Sequence, residues 1–460
     1  MQIGYFVVAF GVFVVLANIV GRLLFGKKVH FEINLIFLLV LSSISLSATL
    51  IGSYANLGIV LSINAFSLFF MTIFSFAMVL VNVIAYVYST DYQDFALLSS
   101  FALLGMYIVS MSTSLITIFL GLEMASIPAV FMLLLSRKSL EAAVKFFIMA
   151  SIAVSLFSFA MALVYGGANS LSLSGVQRNS LTILASVLFI AAIGFDASIF
   201  PFNIFIPDVY QGAPAYLTAM LGGVNKKMGF AALIQVMIIL FISFKSTFLV
   251  IALLSVFTMI YGNIVAMKQN NLKRMLAYSS IAQAGYIMIG VATTSQFGIE
   301  ASLVQIVSHM FVFIGLFGII AWLEFNNRKS VDDIIGLGYE NRFAAFSLTL
   351  FMLALVGLPF TTGFIGKFLL FTSAIKADMV WLAIIGIINS VMSIYYYARP
   401  IMASYEMRAG TGKIRLDFAT KAVVFSCLMI TLLLGIYPQP LIHVSNLAAT
   451  YLFAHQYVLP

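Results

Sequence analysis

Apolar residues run from residue 2 to about 443 in long blocks, broken at intervals by glycine, proline or charge. Most blocks approach the ~20 residues that an α-helix needs to cross the hydrocarbon core of a bilayer. The punctuation predicts fourteen spans, at about 2–24, 33–55, 63–89, 94–112, 113–135, 139–165, 180–204, 214–243, 247–267, 272–293, 298–324, 342–375, 379–404 and 420–443. The turn near 112–114 that separates the fourth from the fifth is short. The expected fold is an all-α polytopic membrane protein. The first block has no basic leader and is too long for a secretory signal core, so it reads as the first span.

Composition agrees: 63% of the residues are hydrophobic and 8% charged, against about 25% charged in soluble domains. The single cysteine, Cys427, lies in an apolar block. It excludes an intrachain disulfide, a CxxC redox pair and a cysteine-ligated iron–sulfur cluster. His30, His309, His443 and His455 are scattered and form no ligand set for zinc or haem. A sodium site built from carboxylates and backbone carbonyls stays open. The net charge of +8 does not imply nucleic acid, because the basic residues alternate with the spans. Odd-numbered connections hold Lys27, Lys28, Arg137, Lys138, Lys268, Lys273, Arg274, Arg328, Lys329, Arg408, Lys413 and Arg415. Even-numbered connections hold only Arg178, Lys245 and Lys376. Lys and Arg favour short cytoplasmic loops, so both termini are expected outside. The short loops leave no room for a soluble domain or an extramembrane active site.

Once loop charges are removed, Glu123, Asp196, Lys226, Lys227 and Lys367 remain at membrane depth, with Lys145 and His309 at the margin. A charge at the bilayer centre costs several kcal/mol and commonly marks an ion path. The plain alternatives are a structural ion pair, a snorkelling side chain or, for His309, a packed and hydrogen-bonded imidazole. A carboxylate and an amine within ~4–6 Å hold each other ionised, and a wet array of such groups can pass protons. Pro201 follows Asp196 by five residues, and Pro359 precedes Lys367 by eight within GLPFTTGFIGK. Proline breaks or kinks a helix, and Gly194, Gly357, Gly363 and Gly366 loosen the same regions. Freed backbone groups at membrane depth are tolerated only within protein or beside a wet cavity. The seventh and twelfth spans are therefore predicted to be broken. They lie five spans apart and run in opposite directions, the pattern of an inverted five-helix repeat, helices 4–8 and 9–13. The expected division is 1–93 (helices 1–3), 94–243 (first repeat), 244–404 (second repeat) and 405–460 (a cytoplasmic loop and helix 14). The GK of GFIGKF is not a phosphate loop, since Phe368 stands where Ser or Thr is needed.

Several long motifs then resemble one family. They are FLGLEMASIPAVFML (119–133), SLEAAVKFFIMAS (139–151), PDVYQGAP (207–214), GNIVAMKQNNLKRMLAYSSIAQAGYIMIG (262–290), GLPFTTGFIGKF (357–368) and NSVMSIYYYARPIMASY (389–405). Together they resemble the N-type antiporter-like subunits of proton-pumping NADH–quinone oxidoreductase, respiratory complex I. The L and M types and the cation/proton antiporters differ after the shared Pro-Asp. The resemblance implies fourteen helices, outside termini and broken seventh and twelfth helices. It also implies a hydrated axis on which Glu123, Lys226 and Lys367 change charge state, with Lys145 and Glu141 matching the pattern that opens the sixth helix. Asp196 and His309 join these as candidates for the proton path. Redox energy released on other chains would drive protons outward, and this chain would carry no cofactor. The implied partners are further antiporter-like and small membrane subunits in a cell (inner or plasma) membrane. The donor would be NADH, a reduced deazaflavin or ferredoxin.

The sequence departs from the family at two points. GFK becomes GFD at Asp196, and PFH becomes PFN at Asn203. Asp196 could pair with Lys226 or Lys227, could share a site with Glu123, or could mark a subunit that no longer pumps. The rival functions are a sodium/proton antiporter subunit, a purely structural or coupling subunit, and a membrane hydrogenase arm. The PDVYQGAP loop argues against the first and the last.

Overall fold

The computed structural model describes residues 2–454 apart from 53, 58–59, 137–138, 174–175, 177 and 408–412. Arg137, Lys138, Arg408 and His455, named above, lie outside the described residues. In hydrocarbon a backbone must satisfy its own polar groups, so long apolar runs become helices. Among the described residues, thirteen helices are long and apolar enough to cross a bilayer. The first seven are α1 (Gln2–Leu24), α2 (Lys27–Ile51), α3 (Ala65–Tyr88), α4 (Tyr92–Met111), α5 (Leu115–Leu135), α6 (Leu140–Ala168) and α7 (Ser180–Ala197). The eighth is the span Ala215–Leu240, which joins α9 (Ala215–Met220) and α10 (Lys226–Gln235) through a π-helical turn at Leu221–Asn225. The remainder are α11 (Lys245–Met267), α12 (Leu272–Ala292), α13 (Gln296–Phe325), α17 (Val380–Tyr405) and α18 (Phe418–Ile436). A short α8 (Ile206–Gly212) precedes α9, and α14 (Leu337–Glu340) is a single turn. Asn64 and Asn179 close capping boxes with Ser67 and Thr182, and Asn271, Ser295, Asn341 and Asp417 cap four later helices.

The predicted twelfth span is two helices, α15 (Arg342–Val356) and α16 (Thr362–Lys376), of 15 residues each. Either rises only about 22 Å, short of the ~30 Å core, so the two together replace one crossing. The predicted break near Pro359 falls between them. The predicted seventh span also breaks: α7 stops at Ala197, and the chain turns through Ser198–Phe205 into α8. Both breaks agree with the proline positions.

Three expectations need correction. Lys273 is not a loop residue. Asn271 starts α12 by accepting from the Arg274 N–H, so Lys273 falls in the first helical turn and is buried. The last predicted span, 420–443, ends instead at Ile436, and a separate α19 follows at Gln439–Ala454. Tyr437 precedes a proline, which disfavours the helical region for it, and it sits at φ −125°, ψ 81°. The eighth span is not a plain helix but carries π-turns at Leu221–Asn225 and Val236–Leu240.

At the centre of the bundle, α12 and α13 are buried along their apolar cores, whereas α6 is the most open to the surroundings. α13 packs against α3, α9, α12, α16 and α18. α10 packs against the end of α7.

Candidate functional site

Lys226 opens α10 directly after the π-turn at Leu221–Asn225. A π-turn inserts one residue and rotates the side chains that follow, which is why such turns gather at functional sites. Lys226 and Lys227 are 3% and 0% exposed. Lys226 Nζ donates to the Ser280 carbonyl at 2.5 Å and to Ser280 Oγ at 3.0 Å. Lys227 Nζ lies 2.6 Å from His309 Nδ1. With Lys227 as an ammonium, Nδ1 is the acceptor and the imidazole proton sits on Nε2.

A third pair lies beside these contacts. Ser280 and Gln283 lie one turn apart on α12, and Gln305 and His309 one turn apart on α13, so each pair shares a face. Gln305 Nε2 donates to Gln283 Oε1 at 2.9 Å. Lys226, Ser280, Gln283, Gln305, His309 and Lys227 thus gather as three hydrogen-bonded pairs of buried polar groups between α10, α12 and α13. Gln305 Oε1 and His309 Nε2 have no hydrogen-bond partner among the described residues. One is an acceptor and the other carries the imidazole proton.

Gln283 also leads to the second break. Its Nε2 donates to the Leu355 carbonyl at 3.2 Å. Lys367, 4% exposed, donates to the Leu355 and Val356 carbonyls at 2.8 and 2.9 Å and to Ser390 Oγ at 2.9 Å. Its ammonium also stands 4.6 Å from the centre of the Tyr286 ring. These carbonyls end α15, where the helix dipole favours a cation.

Asp196, in the last turn of α7, lies in the electrostatic field of Glu123 and beside Ser126. It reaches this place through Gly229: a Cβ there would stand 2.6 Å from the Ala197 nitrogen and 2.8 Å from Asp196 Cβ. Gly229 is one turn after Lys226, so the close approach sets Asp196 on the Lys226 face of α10. Both residues line one cavity of about 30 Å³, with Ser126, Ser198, Tyr210 and Asn225 as its other polar walls. That volume accommodates one or two waters. Glu123 is half-buried on α5. Among the described residues, no ion pair contains Glu123, Asp196, Lys226, Lys227 or Lys367. The direct pairing of Asp196 with Lys226 or Lys227 expected as one option is not formed, and Asn203 bonds only weakly, to the Ser198 carbonyl at 3.5 Å.

Lys145 goes elsewhere. It is 39% exposed and pairs with Glu141 at 2.7 Å and Asp208 at 2.6 Å. Arg274 also donates to Asp208, at 2.6 Å. Partial burial alone would raise the Asp208 carboxyl, but hydrogen bonds from Lys145 and Arg274 outweigh it and hold it below the usual range. Next to this knot, Lys273 donates to Glu324 at 2.6 Å and to the Ala213 carbonyl at 2.7 Å, while Glu324 accepts from the Ala215 N–H. The PDVYQGAP loop is therefore clamped on both sides of Pro214.

The structure brings Asp196, Lys226, His309 and Lys367 into one buried region with Glu123 at its edge, and leaves Lys145 in the clamp. Sequence reasoning missed Ser280, Gln283 and Gln305, whose signal was polar character inside apolar blocks. It also missed Glu300, a buried carboxylate near the start of α13 that accepts from Asn446 of α19 at 2.6 Å. Its position close to a predicted span end hid it.

The family described as NADH:quinone oxidoreductase/Mrp antiporter, transmembrane region, matches residues 112–393. The chain is 35% identical to F(420)H(2) dehydrogenase subunit N of Methanosarcina mazei over 85% of its length and 84% of that protein's. It is 35% identical to NADH-quinone oxidoreductase subunit N of Trichlorobacter lovleyi over 75% of its length and 74% of that protein's. Its fold superposes on a chain of respiratory complex I from Thermus thermophilus with a TM-score of 0.84 and 25% identity, covering 96% of this chain and 99% of that one. By this match the chain belongs to the NADH:quinone oxidoreductase/Mrp antiporter family of membrane subunits.

Proposed function

We propose that this chain is the N-type, antiporter-like subunit of a complex I-type pump, moving protons while other subunits reduce a quinone or quinone-like carrier. Subunits of this family carry no redox cofactor, so the chain contributes the path and not the electron transfer. Its relatives work with different donors by name, F(420)H(2) and NADH. The donor is therefore a property of the partner module, not of this subunit. Its neighbours are further antiporter-like and small membrane subunits, both termini face outward, and 94–243 and 244–404 are two inverted repeats.

The observation that carries the reading is the buried polar line from Asp196 to Lys367. It runs through the shared cavity, Lys226, Ser280, Gln283 and the Leu355 carbonyl. Such a line has no use in a scaffold, where apolar packing would serve at lower cost in desolvation. Asp196, Lys226, Lys367 and His309 titrate along it, and Glu123 exchanges with Asp196. Lys145 acts at one remove, by holding the loop through Asp208.

The test is Lys226→Ala in the whole complex, reconstituted in vesicles with its own donor and acceptor. Positioned proton-transfer groups contribute roughly 10²–10⁴-fold. Proton translocation should therefore fall to near background, while subunit composition and uncoupled electron transfer hold. A variant that pumps with unchanged stoichiometry removes Lys226 from the path. Exchange that needs sodium and no electron donor would identify an antiporter instead.

A further inference from the structure

Lys367 is held without a carboxylate: among the described residues, no ion pair contains it. Its ammonium has three N–H groups and nothing to accept with. They meet three oxygens, the Leu355 carbonyl at 2.8 Å, the Val356 carbonyl at 2.9 Å and Ser390 Oγ at 2.9 Å. Losing a proton leaves an amine with two N–H groups and one lone pair. At a site 4% exposed, an unpaired polar atom is costly. The two carbonyls cannot serve a lone pair, because they only accept. A hydroxyl can, because it both donates and accepts. Beside the ammonium, the Ser390 O–H points to the Val356 carbonyl at 3.0 Å. That carbonyl keeps Lys367 as a second donor, so the O–H is free to leave it. The backbone around Ser390 is fixed independently. Asn263 of α11 donates to the Asn389 carbonyl at 3.2 Å and to Asn389 Oδ1 at 3.1 Å, and Ser393 Oγ donates to the Ser390 carbonyl at 2.6 Å.

We infer that Ser390 is a positioning residue for Lys367, whose hydroxyl accepts from the ammonium and turns to donate to the amine. The inference rests on the proposal that Lys367 titrates. Each N–H, O–H and lone pair involved is then paired in both charge states. With Lys367 charged, its three N–H groups and the Ser390 O–H have the acceptors given above, and Gln283 Nε2 also donates to the Leu355 carbonyl at 3.2 Å. With Lys367 neutral, two N–H groups stay on the Leu355 and Val356 carbonyls, and the lone pair accepts the Ser390 O–H. The Val356 carbonyl gives up one of two donors and the Leu355 carbonyl none. In the step itself one N–H bond of the ammonium breaks and one O–H bond forms on a water molecule. An ammonium and a water become an amine and a hydronium ion, with charge conserved. The rearrangement is a rotation about the Cβ–Oγ bond of Ser390. Neither the end of α15 nor the Lys367 stem has to move, and the stem lies close to the break, where a Cβ on Gly357 would stand 3.3 Å from Lys367 Cδ.

The test uses Ser390→Ala and Ser390→Thr in the intact complex in vesicles, driven by its own electron donor. Both variants should assemble. Ser390→Ala should lose proton yield by roughly tenfold or more, the scale of one hydrogen bond to a charged group. Ser390→Thr keeps the hydroxyl and should restore most of the yield. Hydrogen exchange of the Gly357 and Leu358 amides, which donate to the Leu353 and Ala354 carbonyls, reads the break itself and should match wild type in both. Full yield in Ser390→Ala, with Lys367→Met inactive, overturns the inference and leaves the proposed function standing. A loss in Ser390→Ala that comes with faster exchange at Gly357 and Leu358, or that Ser390→Thr fails to restore, makes Ser390 structural and overturns it as well. So does failure of Ser390→Ala to assemble. Should Ser390→Thr alone fail to assemble, the yield and exchange of Ser390→Ala decide. Normal pumping by Lys367→Met would instead remove the reading on which the inference depends.

Discussion

The break after α7 and the break after α15 both expose helix ends at membrane depth, but they satisfy the freed groups differently. After α7 the backbone closes on itself. Ser198 takes up a left-handed conformation at φ 63°, and the Ser198 and Ile199 N–H groups donate back to the Phe195 and Gly194 carbonyls. This leaves Asp196 free to face the cavity. After α15 the Gly357 and Leu358 N–H groups satisfy only the Leu353 and Ala354 carbonyls. The Leu355 and Val356 carbonyls go to Lys367. One break thus binds its titratable group into the backbone, and the other keeps it apart. The charge state of Lys367 is tied to the geometry of its break, whereas that of Asp196 is not.

Removing Lys367 should therefore have the largest effect. In Lys367→Met each carbonyl keeps a second donor, since Gln283 bonds Leu355 at 3.2 Å and Ser390 bonds Val356 at 3.0 Å. The break should persist and the complex assemble, while proton translocation falls by roughly 100-fold or more. Vesicle acidification driven by the complex's own electron donor measures this. Wild-type yield would mean that the ammonium is only a cap, and the two breaks would then differ in structure alone.

Asp196→Asn should do less. The carboxylate is in no ion pair among the described residues, so assembly should not change. Glu123 stands in its field and can take the proton in its place. The single variant should keep part of the proton yield, and Asp196→Asn with Glu123→Gln should lose the remainder. If the double variant pumps as well as the single one, Glu123 is no substitute, and the acid side of the comparison reduces to Asp196 alone.

The broken helices were legible because proline acts locally. Pro201 and Pro359 each remove a helix hydrogen bond and stand near glycines, whereas Pro128 and Pro400 are carried inside α5 and α17. The titratable residues were legible because charge is rare at membrane depth. What the chain could not announce was partner choice. Both Lys226 and Lys227 were visible, but which one meets Ser280 and which meets His309 follows from the π-turn at Leu221–Asn225. A π-turn arises from the packing of a helix against its neighbours, and the Gly222–Gly223 pair was its only local trace. The extra helix α19 was hidden for the opposite reason. Its apolar residues continue those of α18, and only Pro438 and Pro440 divide them. Lys145 resembled a membrane residue because the sequence did not reveal that Asp208, 63 positions later, would fold back on it.

The smallest effect should come from the clamp that holds the first break at its loop end; among the described residues, no ion pair contains Lys367 at the second. Asp208 is held below its ordinary value of 3.8, with burial opposing and the Lys145 and Arg274 hydrogen bonds prevailing. A carboxyl lowered on folding contributes stability that is fully present above the ordinary value. That contribution is lost as pH falls through the lower folded value. The clamp should therefore be insensitive to pH from neutrality down to about 4 and weaken only below. Hydrogen exchange of the 206–215 amides, compared between wild type and Asp208→Asn, reads this directly. The variant should open this segment a few-fold more readily at neutral pH and lack the acid-dependent step. Proton yield should change little, because the partly exposed pairs are screened by solvent and contribute little each, and because Lys273 and Glu324 still hold the chain on either side of Pro214. A large loss of pumping from Asp208→Asn would mean that the loop sets the position of Tyr210 and Lys226 more tightly than the Lys273–Glu324 pair can maintain alone. The two breaks would then differ in how they are held as well as in the charge they carry.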